Sequence, residues 1–291
     1  MNFRARTAAG LAVAALLAIA GAARAESNVD PNPGVELVIN GDTPITVRAK
    51  APDYLEGHLD NIYSGWLYRI ESTRAMEADD FENPAITFVE EGIDAWNTVE
   101  GTEGKSCASC HGDISEGMKG VRARMPAVNE NGELWSLEDY INNCRVNRMG
   151  AEPYKWDKGP MKNMTAAISM QSRGMPMNVA VDGPAAPFWE RGRDMYYTRY
   201  GLLQLSCASC HEKNNNNYIR GDHLSQGQIV GFPTYRLKKG GLVSIHNRLK
   251  GCIRDTRAET FPIGSQELRE LELYVASRGN GLSVEGVAVR P

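Results

Sequence analysis

The chain has 291 residues, 42% of them hydrophobic, with 36 acidic side chains against 32 Lys and Arg and a formal net charge of −4. That length is enough for two domains, and the mildly acidic balance excludes a nucleic-acid binder working through a strongly basic face. Six cysteines make redox or metal chemistry the first question.

Residues 1–25 read as a secretory signal. Arg4 and Arg6 give the positive start, the run from Ala8 to Ala22 is small and apolar, and Ala23-Arg24-Ala25 is a small-x-small cleavage site. The alternative is a membrane anchor, but the run is short for a span, which needs about 20 residues. No later stretch is a candidate, so the expectation is an exported, periplasmic protein with no membrane span after cleavage. Residues 26–80 form an N-terminal extension. Val35-Glu36-Leu37-Val38-Ile39 and Ile45-Thr46-Val47 predict two short strands around a Gly41-Asp42 turn. Trp66, Leu67, Tyr68 and Ile70 start an apolar stretch with helical character. The extension names no chemistry and is expected to pack on the rest of the chain or on a partner.

An internal repeat follows at an offset of one hundred residues. Phe88-Val89-Glu90-Glu91-Gly92 aligns with Phe188-Trp189-Glu190-Arg191-Gly192, and then Asp94 with Asp194, Thr98 with Thr198 and Ser106 with Ser206. Ser172-Arg173-Gly174 resembles Ser277-Arg278-Gly279, each after an apolar helical stretch. The second stretch carries Leu268, Leu271, Leu273, Tyr274 and Val275, with Gly279 expected as its C-cap. A helix before a central motif and a closing helix after it is the plan of a small cytochrome c. The expected fold is therefore mainly α, with two tandem cytochrome c domains at 81–180 and 181–291. Residues 182–187 are the expected linker.

The repeat centres on Cys-Ala-Ser-Cys-His, at Cys107 to His111 and again at Cys207 to His211. Cys-x-x-Cys-His is the attachment sequence of c-type haem. Cys107 and Cys110, and Cys207 and Cys210, would each form two thioethers with one porphyrin, and His111 and His211 would ligate the irons. A disulfide pair, a thioredoxin-like motif and half a zinc site are the alternatives. Zinc knuckles usually stand about 15–20 residues apart, far closer than these, and none of the alternatives explains a histidine after both pairs.

No methionine follows Glu212, so the distal candidates in the second unit are His223, His246 and Cys252. The first unit has many methionines but no histidine between His111 and His211. The two leftover cysteines, Cys144 and Cys252, each lie downstream of one motif and are followed by basic residues. One distal thiolate per haem is the expected arrangement, against a Cys144–Cys252 disulfide or a free thiol. The surroundings differ in charge. Residues 218–257 hold eight basic side chains and two acids, whereas residues 112–150 hold five and six. The positive segment around Cys252 suggests an anionic substrate, with a solvated face or docking patch as the alternative.

These residues together resemble SoxA, the dihaem subunit of the SoxAX cytochromes of bacterial sulfur oxidation. The resemblance runs from about Ser64 to the C-terminus. It rests on Ser64-Gly65-Trp66-Leu67-Tyr68-Arg69, Asp79-Asp80-Phe81-Glu82-Asn83-Pro84, both haem motifs, Asn143-Cys144-Arg145, Gly221-Asp222-His223-Leu224-Ser225-Gln226-Gly227 and Gly251-Cys252-Ile253-Arg254. It implies an L-cysteine S-thiosulfotransferase that joins thiosulfate oxidatively to a cysteine thiol of a SoxY-type carrier protein. It also implies two covalent haem c groups, a SoxX-like monohaem cytochrome c partner in a heterodimer, and a small cytochrome c taking electrons downstream. By the same resemblance Cys252 ligates the active-site haem, with a persulfide as one of its forms, Arg248 lies beside it, and Cys144 ligates a remote haem. Arg248 precedes Cys252 by four residues, so on a helix both share a face. A thiosulfate dehydrogenase forming tetrathionate, a plain dihaem electron-transfer cytochrome and a dihaem peroxidase are the competing functions.

Overall fold

The computed structural model describes residues 29–291, so the signal segment expected at 1–25 lies outside the described residues. Beyond the extension the chain builds one helical unit twice. The opening helices are Ile86–Asn97 and Ala186–Tyr197. Each leads through a bridged turn into a one-turn helix carrying the haem motif, Ala108–His111 or Cys207–His211. After short intervening elements follows a helix carrying the leftover cysteine, Leu137–Met149 or Ile245–Asp255, and then a closing helix, Gly159–Met170 or Gln266–Ser277. The mainly α architecture of two tandem units expected from the repeat is the one formed.

The glycine shared by the two Phe-x-Glu-x-Gly stretches explains why the repeat keeps it. Opening and closing helices cross there at backbone contact. A Cβ on Gly92 would lie 2.2 Å from the Asn163 carbonyl oxygen, and one on Gly192 would lie 2.0 Å from that of Glu270. Neither oxygen can swing aside, so Gly192→Ala must push the helices apart. Overpacking of this kind costs about 1–3 kcal/mol. Chemical denaturation of the haem-loaded protein should show that loss for Gly192→Ala and for Gly92→Ala, and none for Gly221→Ala, whose Cβ would meet open space. An unchanged midpoint at Gly192 would show that the crossing is not close-packed.

Four expectations shift in detail. The first hairpin pairs Leu37–Ile39 with Thr43–Ile45, so the second strand starts earlier than expected and Pro44 stands opposite Val38. Leu37, Ile39 and Ile45 are buried by that register while Val38 faces out, the period of two that a half-buried ribbon requires. Trp66, Leu67 and Tyr68 are all buried, which one helix face cannot achieve, and they form a 3-10 turn capped by Ser64 before the helix Glu71–Ala78. The stretch expected as a linker is a 3-10 turn, Gly183–Ala185, running straight into the opening helix, with Pro187 in the first turn where its missing N–H is harmless. The closing helix ends at Ser277 and is capped by Arg278 rather than Gly279.

The extension is fastened to the second unit. Strand Ala288–Arg290 runs parallel to Thr234–Arg236, which pairs antiparallel with Gly241–Val243. Glu77 accepts the Val289 N–H at 2.9 Å and pairs with Arg290, whose other nitrogen meets Glu285 at 2.6 Å. Tyr63 N–H donates to Gln226 Oε1 at 2.9 Å. Between the units, Arg269 grips Asp139 through two bonds of 2.6 Å, and Ser136 Oγ donates to Glu272 at 2.5 Å. The extension thus lies against the loop that follows the second haem motif.

Candidate haem and active site

The helical turn Cys207–His211 is opened by a capping box, in which Ser206 Oγ accepts the Ser209 N–H at 3.2 Å. One turn places Cys207 and Cys210 on a common face, so both thiols can reach one porphyrin edge. His211 Nδ1 lies 2.7 Å from the Ser225 carbonyl oxygen. A carbonyl only accepts, so Nδ1 carries the proton and Nε2 keeps its lone pair for a metal. The ring lies flat on Gly227, whose φ is +78° and where a Cβ would stand 2.9 Å from the imidazole. Burial holds the His211 imidazole down at about 4, with the charges of Arg248 and Arg278 adding to the effect, so the ring is neutral at physiological pH and its Nε2 lone pair is available to a metal. These features fit a c-type haem. Among the described residues no group of three or more His, Cys, Asp or Glu could hold a bare metal ion, which leaves a zinc ribbon without a ligand set.

Cys252 is half-buried on the helix Ile245–Asp255, close enough to bear on the ionisation of both Cys207 and Cys210. Burial, then the nearness of Cys252, pushes the Cys207 thiol up to about 12. In the first unit Cys144 stands in the same relation to Cys107 and Cys110. All six cysteines are unbridged, so the Cys144–Cys252 disulfide is not formed and each leftover thiol stays with its own motif. The histidine alternatives are engaged elsewhere. His246 is fully buried, accepting from Gly264 N–H at 3.0 Å through Nδ1 and donating to Glu272 at 3.1 Å through Nε2. His223 Nε2 meets Asn216 Oδ1 at 3.0 Å, and its ring stacks on Tyr218 at 4.5 Å.

Arg248 stands one turn before Cys252 on the same helix, exposed and without a carboxylate partner among the described residues. Two further arginines join it that sequence reasoning did not single out. Arg236 is half-buried, and its guanidinium is held below the ordinary value by burial and then by Arg248. Arg69 comes from the extension, donating Nη2 to the His223 carbonyl at 2.6 Å and Nε to the Gly65 carbonyl at 3.3 Å. Burial first, then the charges of Arg290, Arg236 and Arg248, lower it to about 10. Neither forms an ion pair with an Asp or Glu among the described residues, although Arg236 Nε donates to the Pro291 carbonyl oxygen and Asp222 lies near both, whereas Arg290 is neutralised by Glu77 and Glu285. The only sequence signal for Arg69 was its place in the Ser64-to-Arg69 stretch.

Around the first motif Arg145 and Arg122 serve the fold, while Arg124 and Arg148 are exposed and Arg148 stands near Cys144. Arg145 pairs with Glu100 at 2.5 Å and covers the Tyr154 ring at 3.4 Å. Arg122 is buried among the carbonyls of Met125, Ile229 and Phe232. His111 is exposed, its ring 5.6 Å from that of Trp96.

Comparison with known proteins agrees with this geometry. A family model described as SoxA/TsdA, cytochrome c domain, matches residues 91–177 and again 191–284. The chain is 55% identical over 290 residues to the L-cysteine S-thiosulfotransferase subunit SoxA of Paracoccus pantotrophus, covering 98% of each chain. It is 53% identical to the protein of that name from Rhodovulum sulfidophilum, over 98% of this chain and 99% of the other. It superposes on a chain of the crystal structure of SoxXA from P. pantotrophus with a TM-score of 0.87 and 55% identity, over 89% of this chain and 100% of that one.

Proposed function

The chain belongs to the SoxA family of L-cysteine S-thiosulfotransferase subunits, and from that membership we propose that its second cytochrome c unit is where thiosulfate is joined to a cysteine thiol of a SoxY-type carrier. The observation that carries the reading is the convergence of Arg248, Arg236 and Arg69, none of them in an ion pair with Asp or Glu among the described residues, on the site of His211 and Cys252. Two haem c groups would be held, one by Cys107 and Cys110 and one by Cys207 and Cys210, with His111 and Cys144, and His211 and Cys252, as axial pairs. Haem supplies acceptors for one electron at a time. A SoxX-like monohaem subunit would complete a periplasmic heterodimer, and a small cytochrome c would carry electrons onward.

The overall change joins the outer sulfur of thiosulfate to the carrier sulfur. The thiol releases its proton and two electrons leave, giving a cysteine S-thiosulfonate. Arg248 offers a fork of N–H donors to the sulfonate oxygens, and Arg236 and Arg69 add a field that draws in a dianion. Cys252 presents its sulfur one turn away, either as a ligand that gives way to the incoming sulfur or as a persulfide that relays it. The mass of the Cys252 peptide, with or without an added sulfur, separates those two.

The family model spans TsdA as well as SoxA, so tetrathionate formation is the rival to separate. Thiosulfate, carrier and an electron acceptor should yield a carrier heavier by one thiosulfonate group. Tetrathionate with an unmodified carrier would transfer the assignment to the rival. The protein itself should weigh two haems more than its mature chain, and a single added haem would remove the two-site reading.

A further inference from the structure

The strand Asn61–Tyr63 of the extension pairs on one edge with Arg48–Lys50 and on its other edge with no strand among the described residues. A free edge presents backbone groups two residues apart that a partner has to satisfy. Here the partner is a side chain. Tyr63 N–H donates to Gln226 Oε1 at 2.9 Å, and Gln226 Nε2 donates to the Asn61 carbonyl at 3.1 Å. A carboxamide carries both a donor and an acceptor, so Gln226 fills the place that a peptide group of a third strand would take. The residue is fully buried. Neither an ionised glutamate nor an apolar side chain of its size can make both bonds.

Gln226 follows Ser225, the residue whose carbonyl lies 2.7 Å from His211 Nδ1. Two residues before Ser225, the His223 carbonyl is held by Arg69 at 2.6 Å. On the other side Gly227 N–H donates to Ser225 Oγ at 3.2 Å and its Cα lies against the imidazole. The extension thus grips the loop on both sides of the one carbonyl that orients the ligand. In the first unit His111 is exposed, and its ring forms no hydrogen bond among the described residues. The extension belongs to neither repeat, so this difference is not part of the repeated plan.

We propose that Gln226 is a positioning residue of the second haem site: docked on the strand Asn61–Tyr63, it holds the Ser225 carbonyl on His211 and so lets the N-terminal extension set the reduction potential there. The proposal rests on the reading of His211 as a haem ligand. A carbonyl that accepts from Nδ1 leaves the opposite nitrogen richer in electrons, and a more basic ligand favours ferric iron. The second site is thereby tuned apart from the first by a residue that touches neither the iron nor the substrate.

Gln226→Met keeps the length of the side chain and removes both bonds. Spectroelectrochemistry of the haem-loaded protein should show the second haem shifted toward the ferrous form about tenfold, the equivalent of about 59 mV upward for one electron, with the first haem unmoved. Gln226→Asn, whose amide is one methylene too short to span both partners, should shift it in the same direction. Asp80→Asn loosens the extension at a different anchor, the pair with Arg173 at 2.8 Å. That variant should lower the denaturation midpoint and leave both potentials as they were. In the wild-type protein the Nδ1 proton of His211 should exchange slowly with solvent in NMR spectra. Unchanged potentials in the Gln226 variants, an equal shift in Asp80→Asn, or rapid exchange of that proton in the wild type overturns the proposal. A protein that carries no haem at Cys207 and Cys210 would remove the ligand reading itself, a distinct result.

Discussion

Replacing Cys252 by methionine is expected to abolish thiosulfate transfer while leaving the second haem six-coordinate. Methionine is an unbranched, flexible thioether whose sulfur lies one methylene further out, so from the helix Ile245–Asp255 it can still offer a sulfur to the same site. It cannot become a thiolate or a persulfide, so whatever sulfur chemistry Cys252 performs is lost. Cys144→Met should change the spectrum of the first site to a similar degree yet leave most turnover, because Arg145 and Arg122 there are tied to Glu100 and to backbone carbonyls and the segment 112–150 carries no excess of positive charge. Absorption and EPR spectra report on ligation, and the mass of the carrier reports on transfer. Turnover that survives Cys252→Met and fails in Cys144→Met would place the active site at the first haem.

Arg248→Ala should slow transfer about tenfold to over a hundredfold, the equivalent of about 1.5–3 kcal/mol for losing a charge-assisted contact. Both haems should remain in place, since the Arg248 side chain is exposed and bonds to no backbone group among the described residues. Arg236→Gln and Arg69→Gln should act more weakly and chiefly on the thiosulfate concentration required, because their charges draw the anion in from further away. Arg69→Gln should also loosen the loop below His211, where Arg69 holds the His223 carbonyl. Steady-state assays across thiosulfate concentrations and ionic strengths separate the two patterns. A variant Arg248→Ala with unchanged kinetics would remove that residue from the site.

Much of this architecture was legible in the sequence because each repeated residue answers a local demand. The glycine of Phe-x-Glu-x-Gly is fixed by a helix crossing, and the cysteine-histidine pentapeptide by one helical turn. The spacing of Arg248 and Cys252 needed only that their segment be helical, which it is. Tertiary placement was not legible. Arg69 reaches the second site through the packing of the extension on Gln226 and His223, contacts between residues more than 150 positions apart that no local pattern encodes. Counting charges also treated all arginines alike. The structure separates Arg145, held by Glu100, and Arg254, paired with Asp255, from Arg248 and Arg236, which form no ion pair with Asp or Glu among the described residues. The register of the first hairpin was missed because Pro44 lacks an N–H, and its position opposite Val38 was not anticipated.

The central claim is that thiosulfate is received at the second unit. A crystal of the haem-loaded protein soaked in thiosulfate and measured for the anomalous scattering of sulfur tests it most directly. The account predicts a new pair of sulfur peaks beside Cys252 with its oxygens toward Arg248 and none at Cys144. Peaks at Cys144 alone, or density beside Cys252 that is unchanged from the unsoaked crystal at full occupancy of both haems, would contradict it.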